Sequence, residues 1–211
     1  MKLITLGDSI TRGTHIDDNG AWAVAQPNFS QVLAEGLSAD ELICLGLNGV
    51  SVSRTSTTNP EAALSILCDE AIGGDIVVIA GGTNDYGTSV ALGKPTDRED
   101  NSFYGGLHVL YTKIRENNPK AKVFVVLPIR RKNENDKNDA GHILDDYRAA
   151  ISSTAKAFGY TVIDGRNVPI DPENAEQARA YIRDGLHPNT KGHALYGEYL
   201  IAQIKKENEV C

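Results

Sequence analysis

Five short apolar runs, Leu3–Leu6, Leu42–Leu47, Asp75–Ala80, Lys122–Leu127 and Tyr160–Ile163, punctuate the chain at intervals that leave a helix-length segment between neighbours. Each is rich in Val, Ile or Leu, and most end on Gly, Pro or Asp. Continuous apolar runs of this length suit strands covered on both faces, which is what a parallel sheet requires. The intervening pattern predicts helices over Pro27–Leu37, Pro60–Ile72, Tyr104–Asn117, Ile143–Phe158 and Thr190–Lys206, several of them ending at Gly or before Pro. Alternation of strand and helix implies an α/β three-layer, doubly wound sandwich around a five-stranded, mainly parallel sheet. Right-handed crossovers leave few topologies, and a flavodoxin-like strand order is the expectation.

With 211 residues, the chain is read as one domain spanning 1–211, large enough to bury a core without disulfide or metal staples. Its 21 Lys+Arg against 28 Asp+Glu give a net charge of −7, which speaks against nucleic acid or an anionic membrane as partner. Cys44, Cys68 and Cys211 show no paired or metal-like spacing and read as reduced thiols serving as small hydrophobes. No stretch approaches the length of a membrane span, and no leader is visible after Lys2, so the chain as given is expected to be cytoplasmic, with a removed leader left open. Two polar connections, Tyr86–Ser102 and Arg130–Gly141, exceed what connection needs and are candidates for a lid or for surface decoration.

Ligands of open parallel sheets sit beyond the carboxyl ends of the strands. Gly7-Asp8-Ser9-Ile10-Thr11-Arg12-Gly13 comes after the first run, Gly46-Leu47-Asn48-Gly49 after the second, and Gly81-Gly82-Thr83-Asn84-Asp85 after the third. Asp184-Gly185-Leu186-His187-Pro188-Asn189 precedes the last helix. Acyl transfer needs a nucleophile, a base touching it, a group that orients the base, and donors for the oxyanion. Ser9 stands where a strand turns into a helix. His187 has a carboxylate three residues before it, so Asp184 can accept from one ring nitrogen while the other takes the Ser9 proton. Oxyanion donors would be the N–H groups of Ser9 and Gly49 and the side-chain amide of Asn84.

The order of these blocks resembles the GDSL/SGNH hydrolase superfamily. Gly7-Asp8-Ser9 is similar to its nucleophile block, Gly82-Thr83-Asn84-Asp85 to its Gly-x-Asn-Asp block, and Asp184-Gly185-Leu186-His187 to its Asp-x-x-His block. In the second block, Cys44 stands where the family has Asn. The two glycines that remain, Gly46 and Gly49, place Gly49 at the oxyanion position; a register starting from Asn48 would place Ser53 there. The resemblance implies an esterase without cofactor. It leaves acetylesterase, lysophospholipase, thioesterase and arylesterase open.

Bland readings compete at each position. Ser9 alone is a good helix cap. Asp8 and Asp85 are expected chiefly to hold turns, with substrate contact as the second reading. Arg130, with Arg131, is a solvated loop start or a reader of carboxylate or sugar hydroxyls, and Trp22 is a core plug or a platform for a sugar face. His15, His108, His142 and His193 read as structural or exposed, and no cluster has metal-ligand spacing. Aromatic content of 6% and polar long loops favour a short acyl group, plausibly acetyl on a carbohydrate or other small molecule. The competing class is a non-catalytic phosphate or nucleotide module on Gly7–Gly13, although that loop lacks P-loop spacing and leaves Asp184 and His187 unexplained. Oligomeric state is left open.

Overall fold

In the computed structural model, residues 1–56 and 62–209 are described. The elements run β1 (Lys2–Gly7), α1 (Ser9–Arg12), β2 (Thr14–Ile16), β3 (Trp22–Val24), α2 (Phe29–Gly36), β4 (Glu41–Gly46), α3 (Leu64–Leu67), β5 (Ile76–Ala80) and α4 (Thr83–Gly87). They continue with α5 (Phe103–Asn117), β6 (Lys122–Val126), α6 (Leu144–Ala157), β7 (Thr161–Ile163), α7 (Ala175–Tyr181) and α8 (Thr190–Glu209). Five strands form one wholly parallel sheet in the order β4-β1-β5-β6-β7, the flavodoxin-like order. This is the doubly wound α/β sandwich expected from the sequence.

The pleat divides each central strand between two cores. Ile4, Leu6, Val77, Ile79, Val123 and Val125 face one way, against α3, α5 and α6. Leu3, Ile76, Val78, Phe124 and Val126 face the other, against Phe29 and Leu33 of α2 and Tyr196, Leu200 and Ile204 of α8. Alternating side chains of one strand therefore serve opposite layers, which is why these strands read as unbroken apolar runs. The edge strand β4 departs from that expectation: it is only partly buried, and Cys44 on it is exposed, whereas Cys68 is buried. Cys211 lies outside the described residues.

The helix expected over Pro60–Ile72 is shorter and changes type partway. Pro60 lies outside the described residues, α3 has four residues, and a 3₁₀ turn over Cys68–Glu70 comes directly after it. The short helix α4 was not expected, and two further features were not expected either. One is the small antiparallel hairpin β2–β3, which stands apart from the main sheet; the other is α7, capped by the Asn174 side chain. No helix among the described residues is long and apolar enough to cross a membrane.

Candidate functional site

The carboxyl ends of β1, β4 and β5 meet in register at Gly7, Gly46 and Ala80. From this edge the chain turns at once into α1. The Asp8 side chain accepts from the Ile10 N–H at 2.9 Å as an N-cap, and Gly13 closes the helix at φ 93°. Gly7 is required by close approach, because a Cβ there would strike the Thr11 hydroxyl and the Ala80 carbonyl. Ser9 is thereby held at the sheet edge, at the first position of the helix.

Ser9 Oγ lies 2.8 Å from His187 Nε2, and His187 Nδ1 lies 2.6 Å from Asp184 Oδ2. The other Asp184 oxygen accepts from the backbone N–H groups of Leu186 at 2.9 Å and His187 at 2.7 Å. Gly185 at φ 77° allows this tight loop. Burial would raise the Asp184 carboxyl, but the His187 ring and the two N–H donors outweigh it and hold the group below its ordinary value. A carboxylate that stays ionised against Nδ1 keeps the proton there and presents Nε2 to the Ser9 hydroxyl.

These groups open onto a pocket of about 370 Å³ lined by Ser9, Thr14, Trp22, Asn48, Gly49, Asn84, Leu186 and His187. Asn84 donates one Nδ2 hydrogen to the Val50 carbonyl at 2.7 Å, which leaves the second for a ligand. Gly49 sits at φ 71° on the pocket wall, and neither its N–H nor that of Ser9 has a hydrogen-bond acceptor among the described residues. Ser53, the other candidate for the backbone donor, is fully buried, and its N–H is committed to Asp85 Oδ1 at 3.0 Å.

Of the four candidate substrate contacts, only Trp22 lines this pocket. It is 65% exposed and stands edge-on to the His187 ring, with centroids 5.5 Å apart, so it is not a core plug. Asp8 is 2% exposed and faces a separate small cavity; burial pushes its carboxyl up to about 6. Asp85 is completely buried, and its two oxygens accept from the N–H groups of Val52 and Ser53, so no face of it is left for substrate. Burial pushes it up to about 7, against the pull of those two donors. Arg130 is turned away into ion pairs with Glu134 and Asp171. Its neighbour Arg131 goes inward, donating to the Thr83 hydroxyl at 3.1 Å with its guanidinium over the Tyr86 ring.

The histidines outside the pocket are structural or peripheral. His193 is fully buried, accepts from the Phe29 N–H, and is pushed down to about 3 by burial. His15 is buried against the Gly13 carbonyl, and His142 pairs with Asp146 at the surface. The two long connections are tied to each other. Tyr86 donates to the carbonyls of Asn133 and Asp136, Asn138 donates to the Tyr86 carbonyl, and the Asp139 N–H donates to Ser89. Sequence reasoning did not single out Thr14, Asn48 or Leu186 as pocket residues. The signal for the hairpin bearing Thr14 and Trp22 was present as Asn19-Gly20 between two short β-favouring stretches.

A model of the GDSL-like lipase/acylhydrolase family matches residues 5–195, and the chain belongs to that family of ester-cleaving hydrolases. No curated protein matches it. Among solved structures, a protein from Lactobacillus plantarum is 25% identical, with 97% of this chain and 96% of that one covered and a TM-score of 0.81. The aryl esterase of M. smegmatis is 22% identical over 97% of this chain and 98% of its own, with a TM-score of 0.70. Est24, a carbohydrate acetylesterase from Sinorhizobium meliloti, is 15% identical over 97% and 98%, with a TM-score of 0.68. The last two are likenesses of fold.

Proposed function

We propose that the chain is a serine esterase that removes short acyl groups, acetyl above all, from small-molecule or carbohydrate esters. The observation that carries this reading is the hydrogen-bonded relay from Ser9 through His187 to Asp184, in which nucleophile and base are 178 positions apart in the sequence. In the reaction, Ser9 Oγ attacks the ester carbonyl while His187 Nε2 takes its proton. The carbonyl oxygen becomes an oxyanion facing the N–H groups of Ser9 and Gly49 and the free Nδ2 hydrogen of Asn84. Collapse of this adduct breaks the bond to the alcohol, which leaves with the proton from His187. Water then attacks the acyl-Ser9 ester with His187 again as base, releasing the carboxylic acid and restoring the hydroxyl. Asp184 orients the imidazole and stabilises its protonated form throughout.

The phosphate-module reading loses its support here, since the Ser9 hydroxyl is engaged by an oriented imidazole rather than left free on a loop. Leu186 bears on the acyl side. It lines both the open pocket and a separate small cavity, which is walled mostly by apolar groups such as Ile10, Ala80, Leu127 and Ile129. At about 20 Å³, that cavity has room for one small group and none for a long chain. Trp22 supports the alcohol side: an exposed indole beside the base offers a flat face to a ring. An aryl esterase and a carbohydrate acetylesterase among the structural neighbours both fit an ester with a ring-bearing alcohol.

A panel of p-nitrophenyl esters from acetyl to octanoyl tests the reading. The expected outcome is highest kcat/KM for acetyl and a steady fall with chain length. A rate that climbs toward octanoyl contradicts the short-acyl assignment.

A further inference from the structure

The three oxyanion donors come from three separate parts of the chain, and only two of those parts are regular structure. Ser9 opens α1 and Asn84 belongs to α4, but Gly49 stands after β4 in a stretch whose described residues, up to Ser56, hold no helix or strand and one isolated bridge, from Ser51 to Ala63. The largest set of bonds on that stretch runs to α4. Asn84 Nδ2 donates to the Val50 carbonyl at 2.7 Å, and the N–H groups of Val52 and Ser53 donate to the two Asp85 oxygens at 2.9 and 3.0 Å. A further tie is the Leu64 N–H on the Ser51 carbonyl.

We infer that Asp85 is a positioning residue which, together with Asn84, staples the Gly49–Ser53 segment to α4 and thereby sets the backbone donor of Gly49 and the amide donor of Asn84 at a fixed separation. This inference rests on the serine-esterase reading of the same site. Asp85 is completely buried and does not line the pocket, so it acts without touching substrate. Its side chain forms no ion pair with a Lys, Arg or His among the described residues. An unpaired buried carboxylate is expensive, and an apolar side chain of similar size would serve packing better. A carboxylate is, however, the side chain whose two oxygens accept from two successive N–H groups at once; an amide at this position would turn its own NH₂ toward one of them.

α4 is itself anchored. Arg131 bonds the Thr83 hydroxyl, and Tyr86 bonds the Asn133 and Asp136 carbonyls. The staple therefore adds the position of a fixed element to a segment otherwise held at single points, by the Leu47 N–H on the Gly7 carbonyl, the Thr14 hydroxyl on Asn48 and the Arg54 N–H on Asp100. Small displacements of donors from the developing charge are costly to turnover and nearly neutral to ground-state binding.

The test compares Asp85→Asn with the wild type in native and Asn84→Ala backgrounds, using p-nitrophenyl acetate and a boronic acid that forms a tetrahedral adduct on Ser9. In the native background, kcat should fall by about tenfold or more with KM within about twofold, and boronate affinity should fall in step with kcat. In the Asn84→Ala background the same substitution should cost clearly less, because part of what it positions is already gone. Unchanged kcat, a change in KM alone, or the same loss in both backgrounds overturns the inference. Amide hydrogen exchange on the wild type decides the matter should the variant fail to fold: slow exchange at Val52 and Ser53 is expected, and fast exchange at both overturns the staple. Failure of the esterase reading shows separately, as wild-type turnover that survives Ser9→Ala.

Discussion

The two walls of the pocket are built in opposite ways. On the side of the proposed oxyanion donors, Val52, Ser53 and Asp85 are all buried, and side chains of α4 bond directly to the backbone of the neighbouring segment. On the other side, the β2–β3 hairpin carries Trp22 and Val24 into solvent. Arg183 secures the hairpin tip by bonds to the carbonyls of Asp17 and Asp18 and to the almost fully exposed Asp18 carboxylate. Exposed ion pairs of that kind contribute about 0–1 kcal/mol. The contrast separates two tasks. In the proposed reaction, stabilising a developing charge needs donors that do not move, and burial supplies that; accepting an alcohol of variable shape tolerates a softer, exposed wall.

The contrast is broken most severely from the buried side. Asn84→Ala removes one proposed oxyanion donor and the bond to Val50. It should lower kcat by about 10²–10³ with a far smaller change in KM, as read from steady-state kinetics on p-nitrophenyl acetate. A loss confined to KM would move Asn84 from the oxyanion to ground-state binding.

Burial near the site also leaves a mark on stability. Asp8 is raised from 3.8 to about 6 by burial, so the folded protein holds a proton that the unfolded chain has already released across that interval. Its contribution to stability is complete below the unfolded value and is lost as pH rises through the folded one, at about 1.4 kcal/mol per pH unit in between. Asp8→Asn keeps the N-cap and removes the titration. In urea unfolding, the stability of the wild type relative to this variant should fall between about pH 4 and pH 6, the interval between the two values, and then level off. A gap independent of pH contradicts the assignment.

The exposed wall should give the smallest effect. Trp22→Ala is expected to raise KM for esters of ring alcohols roughly two- to tenfold while leaving kcat and stability close to wild type. A matched ester of a small aliphatic alcohol should be indifferent to the change. Equal losses for both substrates would assign Trp22 to support of the His187 ring rather than to recognition.

Much of this was legible in the sequence for identifiable reasons. Central strands buried on both faces announce themselves as continuous apolar runs, and Ser9, Gly49 and Asn84 stand just beyond the carboxyl ends of three such runs, where a parallel sheet places its ligands. The hairpin was missed because strands of three residues, outside the main sheet and largely exposed, carry little apolar pattern. The α3 region was over-read, since apolar periodicity after Pro60 does not reveal where a helix gives way to a 3₁₀ turn. Arg130 and Arg131 were indistinguishable as neighbours, yet one pairs at the surface and the other packs beneath the site, and only tertiary contacts separate them. The same holds for Asp85. Its partners lie 32 and 33 residues away, so its role is invisible until the chain is folded.

The central claim is that Ser9 is the nucleophile, and covalent labelling addresses it most directly. After incubation with a fluorophosphonate probe and peptide mapping by mass spectrometry, a single adduct on Ser9 is expected, absent from Ser9→Ala and strongly slowed in His187→Ala. An adduct on another residue, or ester hydrolysis that persists undiminished in Ser9→Ala, would contradict the account.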